Sequence, residues 1–254
     1  MKDLQGKLAL ITGGSRGLGK NMAQHLAAAG SNVIITYHSN EAAAIAVVQE
    51  LTSSGVKAKA LQLDVSRTAD FGAFAERLSG AMKELGHDKL DALVNNGGMG
   101  VHAMLAETTE EQFDMLMNTH FKGVLFLSQK LLGHIKDGGA IVNISSGLAR
   151  FSLPGYGAYA AMKGAIETLS RYMARELGDR RIRVNVVAPG AIETDFGGGA
   201  VRDNADINAF VASMTALGRA GKPDDIGPIV AFLCSDAAGW INGQRIEASG
   251  GMTL

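Results

Sequence analysis

"KLALITGGSRGLG", residues 7–19, is the stretch on which the reading of the fold turns. Its first six residues are mostly apolar and β-prone, and its last eight are rich in glycine. An amphipathic run follows over 17–29. Strand, glycine turn and helix in direct succession open a βαβ unit, and the turn presents backbone N–H groups at a helix N-terminus, where an anion is favoured. Gly13, Gly17 and Gly19 are spaced GxxxGxG, a variant of the dinucleotide fingerprint: glycine allows both the tight bend and the close approach of a pyrophosphate. Thr12, Gly13, Ser15, Arg16, Gly17, Leu18 and Gly19 form the candidate phosphate cradle.

The alternation continues along the chain. Short apolar runs at 7–12, 32–37, 59–65, 91–96, 140–145, 183–189 and 244–249 read as strands, and 17–29, 41–54, 68–85, 108–135, 157–178 and 223–234 read as helices. The central strands are apolar on both faces, as in a parallel sheet covered on each side. The pattern predicts an α/β fold, a single-domain Rossmann-like doubly wound sheet of about seven mainly parallel strands with helices on both faces. One domain spans 1–254, without a linker. The irregular stretch "ETDFGGGAVRDNADINAF" (193–210) interrupts the pattern, and 193–217 is expected to be a mobile substrate-binding segment.

Composition excludes several classes. A net charge of −1 offers nothing global to nucleic acid or to an acidic membrane. The cluster "RRIR" (180–183) is expected to be a solvated surface at a helix end. Cys234, the only cysteine, sits in "AFLCSDAA" and reads as a packing residue in a reducing compartment. The histidines at 25, 38, 87, 102, 120 and 134 show none of the spacings of a metal site, so none is assigned. No stretch reaches the length of a membrane span, and "KLALIT" follows Met1 too closely for a signal peptide. A cytoplasmic protein is the default expectation.

The end of the second strand discriminates between dinucleotides. An acid there accepts hydrogen bonds from the ribose hydroxyls of NAD and repels a 2′-phosphate. Thr36 to Asn40 contains no acid, while His38, Ser39 and Asn40 carry donors for phosphate oxygens. Arg16 adds a fixed positive charge, unless it is simply solvated. The balance favours NADP(H). Asp64, with the Val65 backbone beside it, is placed to bond an adenine amino group; capping the next helix is the other role open to it.

"YGAYAAMK" (156–163) contains two tyrosines and one lysine. Residues four apart on a helix share a face, and among the four tyrosines only Tyr159 has a lysine, Lys163, at that offset. Ser146 ends the fifth predicted strand thirteen residues earlier, on the edge where open α/β sheets bind ligands. Asn118 lies within the predicted helix 108–135, an unfavourable place for asparagine. "NNGG" (95–98) ends the fourth strand.

These features, with "TGGSRGLG", "LDV" (63–65), "PGAIETD" (189–195) and "ASGG" (248–251), resemble the short-chain dehydrogenase/reductase family in order and spacing from end to end. Gly98 departs from the family's NNAG, and the loss of one methyl is expected to leave the chemistry unchanged. The resemblance implies that Tyr159 is the general acid protonating a carbonyl oxygen, and that Lys163 lowers its pKa and holds the nicotinamide ribose. It implies that Ser146 polarises the carbonyl, that Asn118 holds a water linking Lys163 to solvent, and that Thr194 bonds the carboxamide. It extends the cofactor contacts to Asn95, Gly97, Pro189, Gly190 and Ile192. Tyr156 is expected either to line the substrate pocket or to pack.

The expected activity is NADP-dependent interconversion of a ketone and a secondary alcohol. A 3-oxoacyl-acyl-carrier-protein substrate is one alternative; a sugar, steroid or small xenobiotic ketone is equally compatible. A non-catalytic NADP(H) sensor is the alternative from another class. The resemblance also implies a homotetramer that pairs helices 108–135 and 157–178, with a small-molecule substrate and no nucleic-acid or membrane partner.

Overall fold

A computed structural model describes residues 3–254 of the chain. Seven parallel strands form one sheet in the order β3-β2-β1-β4-β5-β6-β7. They are β1 (Leu8–Ile11), β2 (Asn32–Tyr37), β3 (Ala58–Gln62), β4 (Leu90–Asn95), β5 (Ile135–Ile144), β6 (Arg183–Pro189) and β7 (Arg245–Ala248). The intervening helices are α1 (Gly17–Ala28), α2 (Glu41–Ser53), α3 (Phe71–Leu85), α4 (Glu110–Met117), α5 (Gly123–Leu131), α6 (Gly157–Glu176), α7 (Ala200–Asp203), α8 (Ala205–Met214) and α9 (Gly227–Cys234). Two apolar cores lie on opposite faces of the sheet. α1, α2 and α9 pack on Ile11, Val33, Ile35 and Val94, while α3 and α5 pack on Leu8, Leu10, Ile34 and Leu93. Alternate residues of one strand serve alternate faces, which is why the central strands read as continuously apolar.

Strand order reverses between β2-β1 and β1-β4. Ligands of doubly wound sheets bind beyond the carboxyl ends of strands at such a point.

Three expectations are corrected. The helix predicted over 108–135 is broken: α4 and α5 are joined by a π-helical turn over Asn118–Lys122, and β5 begins at Ile135. The segment 193–210 is largely helical. Gly197, Gly198 and Gly199 adopt left-handed φ of 62°, 75° and 82°, a turn that glycine makes cheaply, and α7 and α8 follow. Asn204 caps α8 by accepting from the amides of Asp206 and Ile207. The "RRIR" cluster is not simply solvated. Arg183 is buried, and its guanidinium donates to the Leu233 and Ser235 carbonyls at 2.8 and 3.0 Å, closing the end of α9. Cys234 is buried as expected, and burial pushes its thiol up to about 12.

Candidate active site

The glycine turn is tied to the end of β4 across the switch point. Thr12 Oγ1 accepts from the amides of Asn96 (3.0 Å) and Gly97 (2.8 Å), while the Asn96 amide donates to the carbonyls of Thr12 and Gly13. Gly19 lies so close to this turn that a Cβ would stand 2.2 Å from the Gly13 carbonyl oxygen. Gly13 and Gly17 adopt φ of 65° and 52°. Asn96, which the sequence reading did not single out, braces the turn. Asn95 is placed differently from its expected role. Its side chain is buried and donates to Ser128 (3.0 Å) and Asn143 (2.8 Å), so it braces the sheet interior.

α1 begins without a side-chain cap and without an acid in its first turn, leaving its amides and dipole for an anion. Arg16 at the N-cap is exposed, Ser15 lies half-buried beside it, and Leu18 turns its side chain to the core. Across an open cleft from Gly17 and Lys20 lie Thr194 and Lys222. The cleft is bounded by the segment after β6. There Gly190 packs against Ser249, Ile192 forms a β-bridge with Gly221, and the Thr194 hydroxyl accepts from the Phe196 amide at 3.2 Å. Pro189 closes β6 as its last residue.

At the edge of β2, His38 and Ser39 are exposed, and Asn40 spends its Oδ1 capping α2 through the Ala43 amide. Asp64 and Val65 lie just past β3. Asp64 Oδ1 accepts from the Ser66 amide (2.9 Å) and hydroxyl (2.7 Å), and its Oδ2 lies 3.5 Å from His38 Nε2. Burial works against the charged form of Asp64. The Ser66 bonds, with His38 and Arg67, nevertheless hold its carboxyl below the usual range.

On the other side of the switch point, α6 carries both Tyr159 and Lys163 inward, each buried. Lys163 Nζ donates to the Ile144 carbonyl at 2.8 Å and stands 5.6 Å from the Tyr159 ring centroid. Ser146 follows β5 and caps a short turn, its hydroxyl accepting from the Leu148 amide at 3.2 Å. Arg245 and Glu167 hold this strand end: Glu167 accepts from Ser145 and Arg245, both at 2.7 Å. Burial raises the Tyr159 pKa, opposed by the Ser146 hydrogen bond. Burial also pushes Lys163 down to about 7. In the free protein burial sets the direction for the phenol, and the expected lowering involves the bound cofactor's charge as well as Lys163.

Asn118 starts the π-helical turn, and its carbonyl accepts from the Gly123 amide. Its side chain makes no hydrogen bond among the described residues. His120 of this turn is buried, with its ring 5.2 Å from that of Tyr159 at an interplanar angle of 88°. Phe196 approaches Tyr159 from the segment after β6, with centroids 5.9 Å apart, and covers Gly100. His102 packs on Gly155 and edge-on to Tyr156 at 5.1 Å. Aromatic rings thus flank both Tyr156 and Tyr159.

A family model described as enoyl-(acyl carrier protein) reductase matches residues 13–253. The chain is 40% identical to the tetrahydroxynaphthalene reductase PfmaG of Pestalotiopsis fici, over 97% of this chain and 91% of that one. It is an oxidoreductase of the short-chain dehydrogenase/reductase family. Among solved members of this family, LugOII, a promiscuous reductase catalysing keto-reduction at C1 during lugdunomycin biosynthesis, superposes with a TM-score of 0.94. It is 38% identical, with 99% of this chain and 100% of that chain covered. The landomycin C-6 ketoreductase LanV, solved with NADP and rabelomycin, gives a TM-score of 0.90 at 37% identity, covering 99% and 98%. The doubly wound sheet read from the sequence is the fold of these reductases.

Proposed function

We propose that this short-chain dehydrogenase/reductase reduces a ketone to a secondary alcohol with NADPH, Tyr159 donating the proton. The observation that carries the reading is the buried Tyr159, with the Lys163 Nζ 5.6 Å from its ring centroid, across the switch point from a glycine turn that suits a pyrophosphate. NADPH supplies the hydride when bound. Gly13, Gly17, Gly19 and the free amides of α1 fit its pyrophosphate; Arg16, His38 and Ser39 fit a 2′-phosphate. The bound NADP of LanV supports the same choice. Ser146 polarises the carbonyl, Tyr159 protonates its oxygen, and Lys163 holds the nicotinamide ribose and restores the charge balance as the proton leaves. Thr194, with Pro189, Gly190 and Ile192, borders the nicotinamide end.

The substrate class is a fused-ring ketone. The aromatic contacts of Tyr159 with Phe196 and of Tyr156 with His102 suit a flat apolar molecule. Relatives acting on hydroxylated naphthalenes and on angucyclines support it. The family model's acyl-carrier description keeps an acyl thioester as the second reading.

The protein is a cytoplasmic homotetramer in this reading. Among the described residues no helix is long and apolar enough to cross a membrane. The outer face of α6 is open at Gly164 and exposes Ala161 and Tyr172, while α4 and α5 expose Phe113, Met115 and Phe126. Mass in solution tests the assembly, and a monomer overturns it. NADPH consumption on a panel holding a tetralone, a small aliphatic ketone and an acetoacetyl thioester tests the rest. Preferred turnover of the tetralone is expected. NADPH binding without any turnover returns the protein to the sensor class.

A further inference from the structure

Gly98 and His120 fit one another. A Cβ at Gly98 would lie 2.6 Å from His120 Cε1 and 3.2 Å from its Nδ1, so the missing methyl is the space the imidazole fills. The sequence reading expects Gly98 to leave the chemistry unchanged; the packing gives it a steric role. His120 is buried at 1% exposure, and its Nε2 lies 2.6 Å from the Met99 carbonyl oxygen. The Met99 amide stands farther from the same nitrogen, at 3.4 Å; the shorter carbonyl contact assigns the proton to Nε2 and leaves Nδ1 as the bare acceptor. Nδ1 is buried without a partner among the described residues.

We infer that His120 is a positioning residue for the proton donor: a neutral Nε2–H imidazole, admitted by Gly98 and anchored on Met99, that seats the Tyr159 ring and keeps Nδ1 as an unprotonated acceptor. The 88° edge-on contact with Tyr159 supplies the seating. The ring is kept neutral by its burial and then by the Lys163 charge, which outweigh the opposing bond to Met99 and push it down to about 3. Tyr159 is the other titratable group against it, and the loop 97–99 brings none. This inference rests on the reading of Tyr159 as the proton donor.

The test compares His120→Leu, His120→Asn, Gly98→Ala and the double variant Gly98→Ala/His120→Asn. Leucine keeps bulk without polarity. Asparagine keeps one donor and one acceptor in a smaller plane. His120→Leu is expected to lower kcat at least about tenfold with KM within about threefold, and His120→Asn to retain kcat within about threefold. Gly98→Ala is expected to lower both kcat and Tm, and the second substitution in the double variant to restore them. Full kcat in His120→Leu, or no rescue in the double variant, overturns the inference. If Gly98→Ala does not fold, the contrast of leucine with asparagine decides. A 15N-histidine spectrum of the wild type needs no turnover: it should show unprotonated Nδ1 and protonated Nε2 from pH 5 to 8, and a ring titrating in that interval overturns the inference. If the spectrum is as expected but no ketone is reduced, the proposed activity fails rather than the state of His120, and the Tm coupling between Gly98 and His120 then decides the packing.

Discussion

Lys163 and Tyr159 are both buried on one face of α6, the lysine Nζ 5.6 Å from the tyrosine ring centroid and 2.8 Å from the Ile144 carbonyl. The two burials act in opposite directions on charge. Desolvation raises the phenol and pushes the ammonium down to about 7, so each favours its neutral form in the free protein. A group that carries charge during turnover is thus held at a cost to stability.

That cost sets a pH dependence. Lys163 has a folded pKa below its unfolded value, so between about pH 7 and 10 the unfolded chain binds more protons and stability rises with pH. Denaturation of wild type and Lys163→Met at pH 7 and pH 9 should show the wild type gaining on the variant by roughly 1 kcal/mol per pH unit at most. The variant should also lose turnover. A constant difference between the two proteins would contradict the buried, depressed ammonium.

The glycine turn makes a steric prediction. Gly19→Ala would put a methyl into the Gly13 carbonyl and the Asn96 amide, opening the bond network between β1 and β4. NADPH affinity should fall at least about tenfold, with a lower Tm, because the turn and its brace must move together. Titration of NADPH fluorescence measures the first and thermal unfolding the second.

Arg16 tests the choice of dinucleotide. It is exposed at the N-cap of α1 and has no acidic partner among the described residues. Arg16→Ala should raise KM for NADPH about tenfold and leave that for NADH nearly unchanged, since only the 2′-phosphate distinguishes them. Equal effects on both would assign Arg16 to the pyrophosphate instead.

Phe196 covers Tyr159 and Gly100 from the segment after β6. Phe196→Ala should lower kcat/KM for a fused-ring ketone about tenfold, and for a small aliphatic ketone much less, because only the larger substrate uses the ring. The ratio between the two substrates is the readout.

Much of the fold was legible because burial on both faces of the sheet forces continuous apolar strands, and the glycine turn marks where the first of them ends. The Tyr159–Lys163 pair was legible for a similar reason: four residues on a helix is a local relationship. What the sequence hid is non-local or conformational. Gly98 and His120 lie 22 positions apart, and no periodicity joins them; only their packing does. The π-helical turn at Asn118–Lys122 departs from the regular helix read over 108–135, and no sequence spacing singles out His120, whose ring it sets against Tyr159. Likewise the glycine triplet suggested an irregular segment at 193–210, whereas with Phe196 it forms a short turn that leads into α7 and α8.

The most direct measurement is single-turnover reduction of a fused-ring ketone by NADPH in wild type and Tyr159→Phe, with NADPH affinity measured on the same samples. The phenylalanine preserves the ring between His120 and Phe196 and removes only the phenol oxygen. The predicted result is unchanged NADPH binding with the reduction rate lowered by at least about a hundredfold, the range of a lost general acid. A variant that binds NADPH and reduces the ketone at the wild-type rate would contradict the assignment of Tyr159 as the proton donor.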